Sequence, residues 1–148
     1  MLVVNIDGAS RGNPGPAGIG VVFVRDNTRI TEYKEFIGKK TNNQAEYAAL
    51  KKALQIASTF DNELTVLSDS QLIVNQRNKL YRVRSKQLKI IFREISNLER
   101  RFKMVIYKHI PREKNEYADL LANQAIDEHN NKYQNNAVRS MAAVKTQS

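Results

Sequence analysis

Cysteine is absent from this chain, so neither a disulfide framework nor a thiolate metal site is available, and any metal ion must be held by oxygen or imidazole. No apolar run approaches the length of a bilayer span, and the opening residues 1–7 lack the basic head and cleavage site of an export signal. A soluble, cytoplasmic protein with no membrane partner is expected. Acids are scarce beside bases, 15 Asp and Glu against 24 Lys and Arg, giving a formal charge of +9 and a pI near 9.9. That excess favours a polyanionic partner. There is no internal repeat, and 148 residues suffice for one domain with a proper core but not for two comfortable ones.

What is present is organised around residues 41–58. Thr41 or Asn42 can cap the first turn of a helix, and the run that follows is rich in Ala and Leu, with no Gly or Pro to interrupt it. Spacings of three and four from Glu46 reach Ala49, Leu50, Ala53 and Ala57, the inward stripe of an amphipathic helix. Glu46 therefore points its carboxylate at the body of the protein. A buried carboxylate is costly unless it is paired, hydrogen-bonded or bound to metal.

Other acids fall at comparable positions. Residues 2–7 read as a β-branched strand ending on Asp7, followed by a turn-rich loop to Gly18 that lacks the Lys and Ser/Thr pair of a nucleotide P-loop. Two further strands, near 18–25 and 29–37, suggest an antiparallel meander. After the helix, residues 63–69 form a strand ending on Asp69. A strand reached through a helical crossover usually runs parallel to the one it joins, so Asp7 and Asp69 fall at one carboxyl edge of an α/β sheet. A short helix over 70–77, a strong amphipathic helix over 85–101 and a strand over 103–109 follow. A last helix over 115–128 carries Asp119 near its start, with Ala118, Leu121, Ala122 and Ala125 facing inward. Residues 77–114 hold thirteen Lys or Arg against three Glu, either a solvated face or a nucleic-acid footprint. The expected division is a catalytic domain over 1–128 and a polar, mobile tail over 129–148, with a weak helical patch at 137–144.

Asp7, Glu46, Asp69 and Asp119 can thus share one cavity. At about 4 Å and an effective dielectric near 20, each like pair repels by roughly 4 kcal/mol, so the cluster must take up protons or cations. Hard oxygen ligands select Mg²⁺ or Mn²⁺. Two such ions can clamp a phosphodiester between attacking and leaving oxygens.

Four runs, in order, resemble the type 1 ribonucleases H: Asp-Gly-Ala-Ser-Arg-Gly-Asn-Pro-Gly from Asp7, Thr-Asn-Asn-Gln-Ala-Glu ending at Glu46, Ser-Asp-Ser-Gln around Asp69, and Asn-Glu-Tyr-Ala-Asp-Leu-Leu-Ala-Asn around Asp119. The resemblance extends from Val3 to about Ile126. It implies a mixed five-stranded sheet, three antiparallel strands leading into parallel ones, with helices on both faces. It also implies endonucleolytic hydrolysis of the RNA strand of an RNA–DNA hybrid to 5′-phosphate and 3′-hydroxyl ends. Asp7 would bridge two metal ions, Mg²⁺ or Mn²⁺ in its place, with Asp119 completing one site and Glu46 and Asp69 the other. A monomer is the expected state. The competing readings are a polynucleotidyl transferase or resolvase of the same fold and a non-catalytic duplex-binding module.

The same resemblance implies substrate contacts. Asn13, Asn42, Asn43 and Gln71 match positions that touch the minor groove, where short amides can both donate to and accept from the 2′-hydroxyl that marks RNA. Ser10 joins the expected substrate-binding set. Thr41 and Asn43, with Arg84 or Ser85, match a pocket for a phosphate of the DNA strand. The sequence departs from the family's best-known pattern in two places. The basic, Trp-containing protrusion is missing, leaving Lys79, Arg82, Arg84 and Lys86 in a short interval, so this is a short form. The loop before Asp119, from which the resemblance implies that a histidine assists turnover, is also short. His109 has the right count back from Asp119 and is one candidate, but it falls at a strand end. Arg112 is therefore the residue expected to assist ahead of it, because a guanidinium can hold the scissile or departing phosphate.

Overall fold

A computed structural model of the chain describes residues 1–79 and 86–147. Five strands, β1 (Leu2–Ser10), β2 (Gly15–Arg25), β3 (Thr28–Lys40), β4 (Glu63–Ser68) and β5 (Met104–His109), form one sheet in the order β3-β2-β1-β4-β5. The first three are antiparallel neighbours, while β1 with β4 and β4 with β5 are parallel. Asp26 and Asn27, both at positive φ (53° and 60°), close the β2–β3 hairpin, the backbone geometry that two-residue hairpin turns require. Four helices are described: α1 (Asn42–Ala57), α2 (Gln71–Arg77), α3 (Lys86–Glu99) and α4 (Glu116–Gln147).

Alternation along β1 turns Leu2, Val4, Ile6 and Gly8 toward α1 and leaves Asp7 on the α4 face. The main core lies on the α1 side, where Leu2, Val4, Ile6, Leu64 and Val66 meet Tyr47, Leu50, Ala53, Leu54, Ile73 and Ile95, all fully buried. Burying a leucine such as Leu50 or Leu54 contributes roughly 2 kcal/mol. Ala49, Leu50, Ala53 and Ala57 form the inward stripe expected of α1, and Leu88, Ile91 and Phe92 of α3 pack on the same core. On the other face α4 lies against β2 so closely that a Cβ at Gly20 would collide with the backbone carbonyl oxygen of Ala118. Glycine there sets the distance between helix and sheet.

Several bounds differ from the sequence expectation. β1 does not stop at Asp7 but runs to Ser10, because its pairing with β2 continues through Ser10↔Ala17 after its pairing with β4 ends at Ile6↔Ser68. Glycines in that stretch suggested a loop, yet they serve close approach within a strand. The last helix does not end at 128: residues 116–147 contain no Gly or Pro, and α4 continues to Gln147, a length of roughly 48 Å. The stretch expected to be a mobile tail is therefore helical, and from Asp127 onward its described side chains are exposed. Arg77, counted in the basic excess, is buried and paired with Glu99 of α3. Arg84 and Ser85 lie outside the described residues. No helix among the described residues is long and apolar enough to cross a membrane.

Candidate active site

Parallel pairing of Ile6 with Ser68 brings the following residues, Asp7 and Asp69, to one point on the sheet edge. There β4 turns away: Ser68 Oγ accepts the Ser70 N–H (3.0 Å), and Ser70 Oγ caps α2 through the Ile73 N–H (3.3 Å). The sequence sets α1 in place by a capping box. Thr41 Oγ1 accepts from the Gln44 N–H (3.1 Å) while Gln44 Oε1 accepts from the Thr41 N–H (2.9 Å). Glu46 then falls one turn in, over β1. A Cβ at Gly8 would strike the backbone of Ala45 and Glu46, so only glycine lets α1 rest on the strand at this point.

The ligand oxygens of Asp7, Glu46 and Asp69 lie within 4.8 Å of one another. Asp119 comes from the first turns of α4, exposed to solvent yet within hydrogen-bonding reach of Asp7. The start of α4 is anchored to β1 by buried Asn115, whose Nδ2 donates to Ile6 O (2.8 Å) and whose Oδ1 accepts from Asn5 Nδ2 (3.2 Å). A cavity of about 420 Å³ is lined by Asp7, Gly8, Ala9, Ser10, Asn42, Asn43, Glu46, Asp69, Ser70, Arg112 and Asp119. All four expected acids and Arg112 thus meet in one place.

Electrostatics follow from this crowding. Burial, and then the charge of Glu46, push the Asp7 carboxyl far above the usual carboxylate range, with Asp119 and Asp69 adding to the rise. Burial also raises Glu46; hydrogen bonds from Asp7 and from the Gly8 N–H oppose the rise, and the nearby Asp69 charge adds to it. Without cations the crowding therefore favours the protonated form of both carboxyls over the ionised one. Glu46 Oε2 is buried with no hydrogen-bond partner. A wholly carboxylate donor set with an orphaned buried oxygen fits a hard divalent cation such as Mg²⁺ or Mn²⁺.

The polar residues expected to bind substrate divide between rim and scaffold. Asn42 and Asn43 are exposed on the cavity wall, and Ser10 lines it while its Oγ donates to Lys40 O (2.7 Å). Asn13 Oδ1 accepts the Asn42 N–H (3.1 Å), tying the β1–β2 loop to the start of α1. Gln71 is exposed at the first position of α2, two residues past Asp69, and Thr41 sits half-buried as the α1 cap. His109 ends β5, exposed and outside the cavity lining, whereas Arg112, on the short 3-10 turn Arg112–Lys114, is part of that lining. Sequence reasoning gave no role to Gly8 or Asn115. The signals were present, a glycine directly after a strand acid and an asparagine directly before a helix start, but each has other common explanations.

The sequence family described as reverse transcriptase-like matches residues 5–125. Ribonuclease HI of Halobacterium salinarum is 41% identical over 134 residues, a match covering 82% of this chain and 62% of that protein. A bifunctional protein of Mycobacterium tuberculosis is 42% identical over 132 residues, 85% of this chain but 35% of that protein, so the chain spans about a third of that relative's length. Among solved structures, the RNase H1 designated LC11, in complex with an RNA/DNA hybrid, superposes with a TM-score of 0.84 at 41% identity, covering 87% of this chain and 99% of that one.

Proposed function

This chain belongs to the type 1 ribonuclease H family, and from that premise we propose that it is an endonuclease that hydrolyses the RNA strand of RNA–DNA hybrids. The observation that carries the reading is the convergence of Asp7, Glu46, Asp69 and Asp119 on one cavity, with Glu46 Oε2 left without a partner. These four side chains would hold the metal. Two Mg²⁺ ions, or Mn²⁺ in their place, supply when bound the activation of water and the charge relief at the departing oxygen that phosphodiester hydrolysis needs. In the reaction a water oxygen bonds to phosphorus, the P–O3′ bond breaks and the 3′ oxygen takes a proton, leaving 5′-phosphate and 3′-hydroxyl ends.

The chain's own residues select and hold the substrate. Asn42 and Asn43 on the cavity wall, with Ser10 beside them, offer polar groups to the 2′-hydroxyls of a wide, shallow minor groove. They are joined by Asn13, which is bonded to the Asn42 N–H, and by Gln71, exposed two residues past Asp69. Asn13 retains its amide donor because only its Oδ1 is used by the helix. Thr41 and Asn43 flank the N-terminus of α1, whose positive end suits a phosphate of the DNA strand. Arg112 contributes a cation to the scissile or departing phosphate, and His109 does not. All four acids come from one chain, so the site needs no second copy, which suits a monomer, and the absence of cysteine suits a cytoplasmic setting. Residues 1–128 form the catalytic unit, and 129–148 are a polar extension.

The test is a substrate panel of RNA–DNA hybrid, double-stranded RNA and double-stranded DNA, incubated with Mg²⁺, Mn²⁺ or EDTA. Hybrid cleavage that requires the cation and vanishes in Asp7→Asn supports the reading. DNA strand transfer, or binding without cleavage, overturns it.

A further inference from the structure

Asp119 differs from the other three acids. Asp7 is fixed by a sheet strand, Glu46 lies under a capped helix and Asp69 follows a buried strand, but Asp119 is exposed on the first turns of α4, where a free side chain would sample several rotamers. Two residues with no part in the reading above restrain it. Asn123, one turn further along α4, donates from Nδ2 to Asp119 Oδ1 (3.3 Å) and to the Asp119 backbone oxygen (3.0 Å). Arg11, from the β1–β2 loop, donates through Nη2 to Asn123 Oδ1 (3.4 Å), and its Nη1 is paired with Asp127 (2.7 Å). The amide orientation of Asn123 is thereby fixed. Its oxygen faces a cation, so its NH₂ faces the carboxylate.

We infer that Asn123, oriented by Arg11, is a positioning residue for Asp119, and that the β1–β2 loop thereby sets the geometry of the fourth metal-binding acid. With Oδ1 engaged by the amide, the Asp119 side chain is held to one orientation beside the cavity that it lines. The loop has a second attachment, Asn13 Oδ1 to the Asn42 N–H of α1, so the segment that offers Asn13 to substrate also bridges the helices bearing Glu46 and Asp119. The inference rests on the proposed metal-binding role of the four acids.

The test titrates the full chain with Mn²⁺ alone, without substrate, and reads the dissociation constant calorimetrically for wild type, Asn123→Ala, Arg11→Ala and a control. Lys34→Ala is the control: Lys34 pairs with Glu128 of the same helix but touches none of the four acids. Partners that orient metal ligands typically govern affinity by tenfold or more, so Asn123→Ala should weaken Mn²⁺ binding about tenfold and Arg11→Ala less, with Lys34→Ala unchanged. The Mn²⁺ concentration for half-maximal cleavage should rise in parallel while the KM for hybrid holds, and excess Mn²⁺ should restore the rate. If both variants bind Mn²⁺ as wild type does, the inference is wrong. Should Asn123→Ala fail to fold, Arg11→Ala decides alone. Should wild type itself bind no Mn²⁺, the proposed function fails, and this inference with it.

Discussion

Among the described residues, the polar cluster at the end of β1 and the one between α2, α3 and β5 differ in their charge balance. At the end of β1 four acids meet, with Arg112 on the cavity wall and one carboxylate oxygen of Glu46 buried without a partner. Between α2, α3 and β5 the charges are complementary. Arg77 donates to Glu99 and to Ser96 Oγ (3.2 Å), its guanidinium lies 4.1 Å from the centroid of the Phe92 ring, and Tyr107 donates to the other oxygen of Glu99 (2.7 Å). Burial and the Glu99 charge hold the Tyr107 hydroxyl well above its ordinary pKa, so it stays a donor. In the second cluster each charge meets an opposite one within the chain, even though Nε and Nη1 of Arg77 are buried without a hydrogen-bond partner, and the pairing fixes α2 against α3. The first is resolved only by protons or by ions from outside, which is the signature of a site rather than a support.

The sharpest way to break this comparison is to relieve the unbalanced cluster. Asp7→Asn should lower hybrid hydrolysis by about a thousandfold or more. It should also stabilise the metal-free protein by on the order of 1 kcal/mol, since a repelling buried acid is removed. Single-turnover cleavage and thermal melting in EDTA measure the two effects, and a variant both inactive and less stable would mean that Asp7 is structural.

The balanced cluster should respond in the opposite sense. Removing one partner of a buried ion pair strands the other, so Arg77→Ala should cost about 3 kcal/mol in urea denaturation. Cleavage per folded molecule should stay near wild type. Gly8→Ala probes the joint between strand and helix: the added methyl meets the Ala45 and Glu46 backbone, and we expect a loss on the order of 2 kcal/mol together with reduced cleavage.

The pH dependence sharpens the comparison further. Asp7 and Glu46 hold their protons in the metal-free fold at pH values where the unfolded chain, with ordinary values of 3.8 and 4.5, has released them. Their contribution is fully present below about pH 4 and is lost as pH rises through the elevated native values. The melting-temperature gap between Asp7→Asn and wild type in EDTA should therefore widen from pH 4 to pH 8, and a gap independent of pH would contradict the raised pKa values. The smallest expected effect concerns the cavity wall. Arg112→Ala should slow turnover about tenfold and His109→Ala by less than about twofold, and the reverse ranking would return the assisting role to the histidine.

The unbalanced cluster was the more legible in sequence. Glu46 stood out because an acid interrupted an apolar stripe, Asp7 and Asp69 because acids ended apolar strands, and the capping position of Thr41 because helix starts are local. Arg77 and Glu99 gave no such signal. Their pairing joins positions 22 residues apart on two helices, and Arg77 was submerged in a run of thirteen cations. The extension of α4 was missed for a related reason. Asn-rich composition lowers helix propensity without forbidding a helix, and no Gly or Pro marks an end before Gln147. The β1 boundary failed because glycine has two meanings, a turn or a close approach, and only the placement of α1 on Gly8 distinguishes them.

Diffraction from crystals grown with Mn²⁺ tests the central claim most directly. Anomalous scattering should place an ion between the carboxylates of Asp7, Glu46 and Asp69, with oxygens at about 2.2 Å and Glu46 Oε2 among its partners. Density that left the three acids ion-free at a Mn²⁺ concentration supporting full hybrid cleavage would contradict the account.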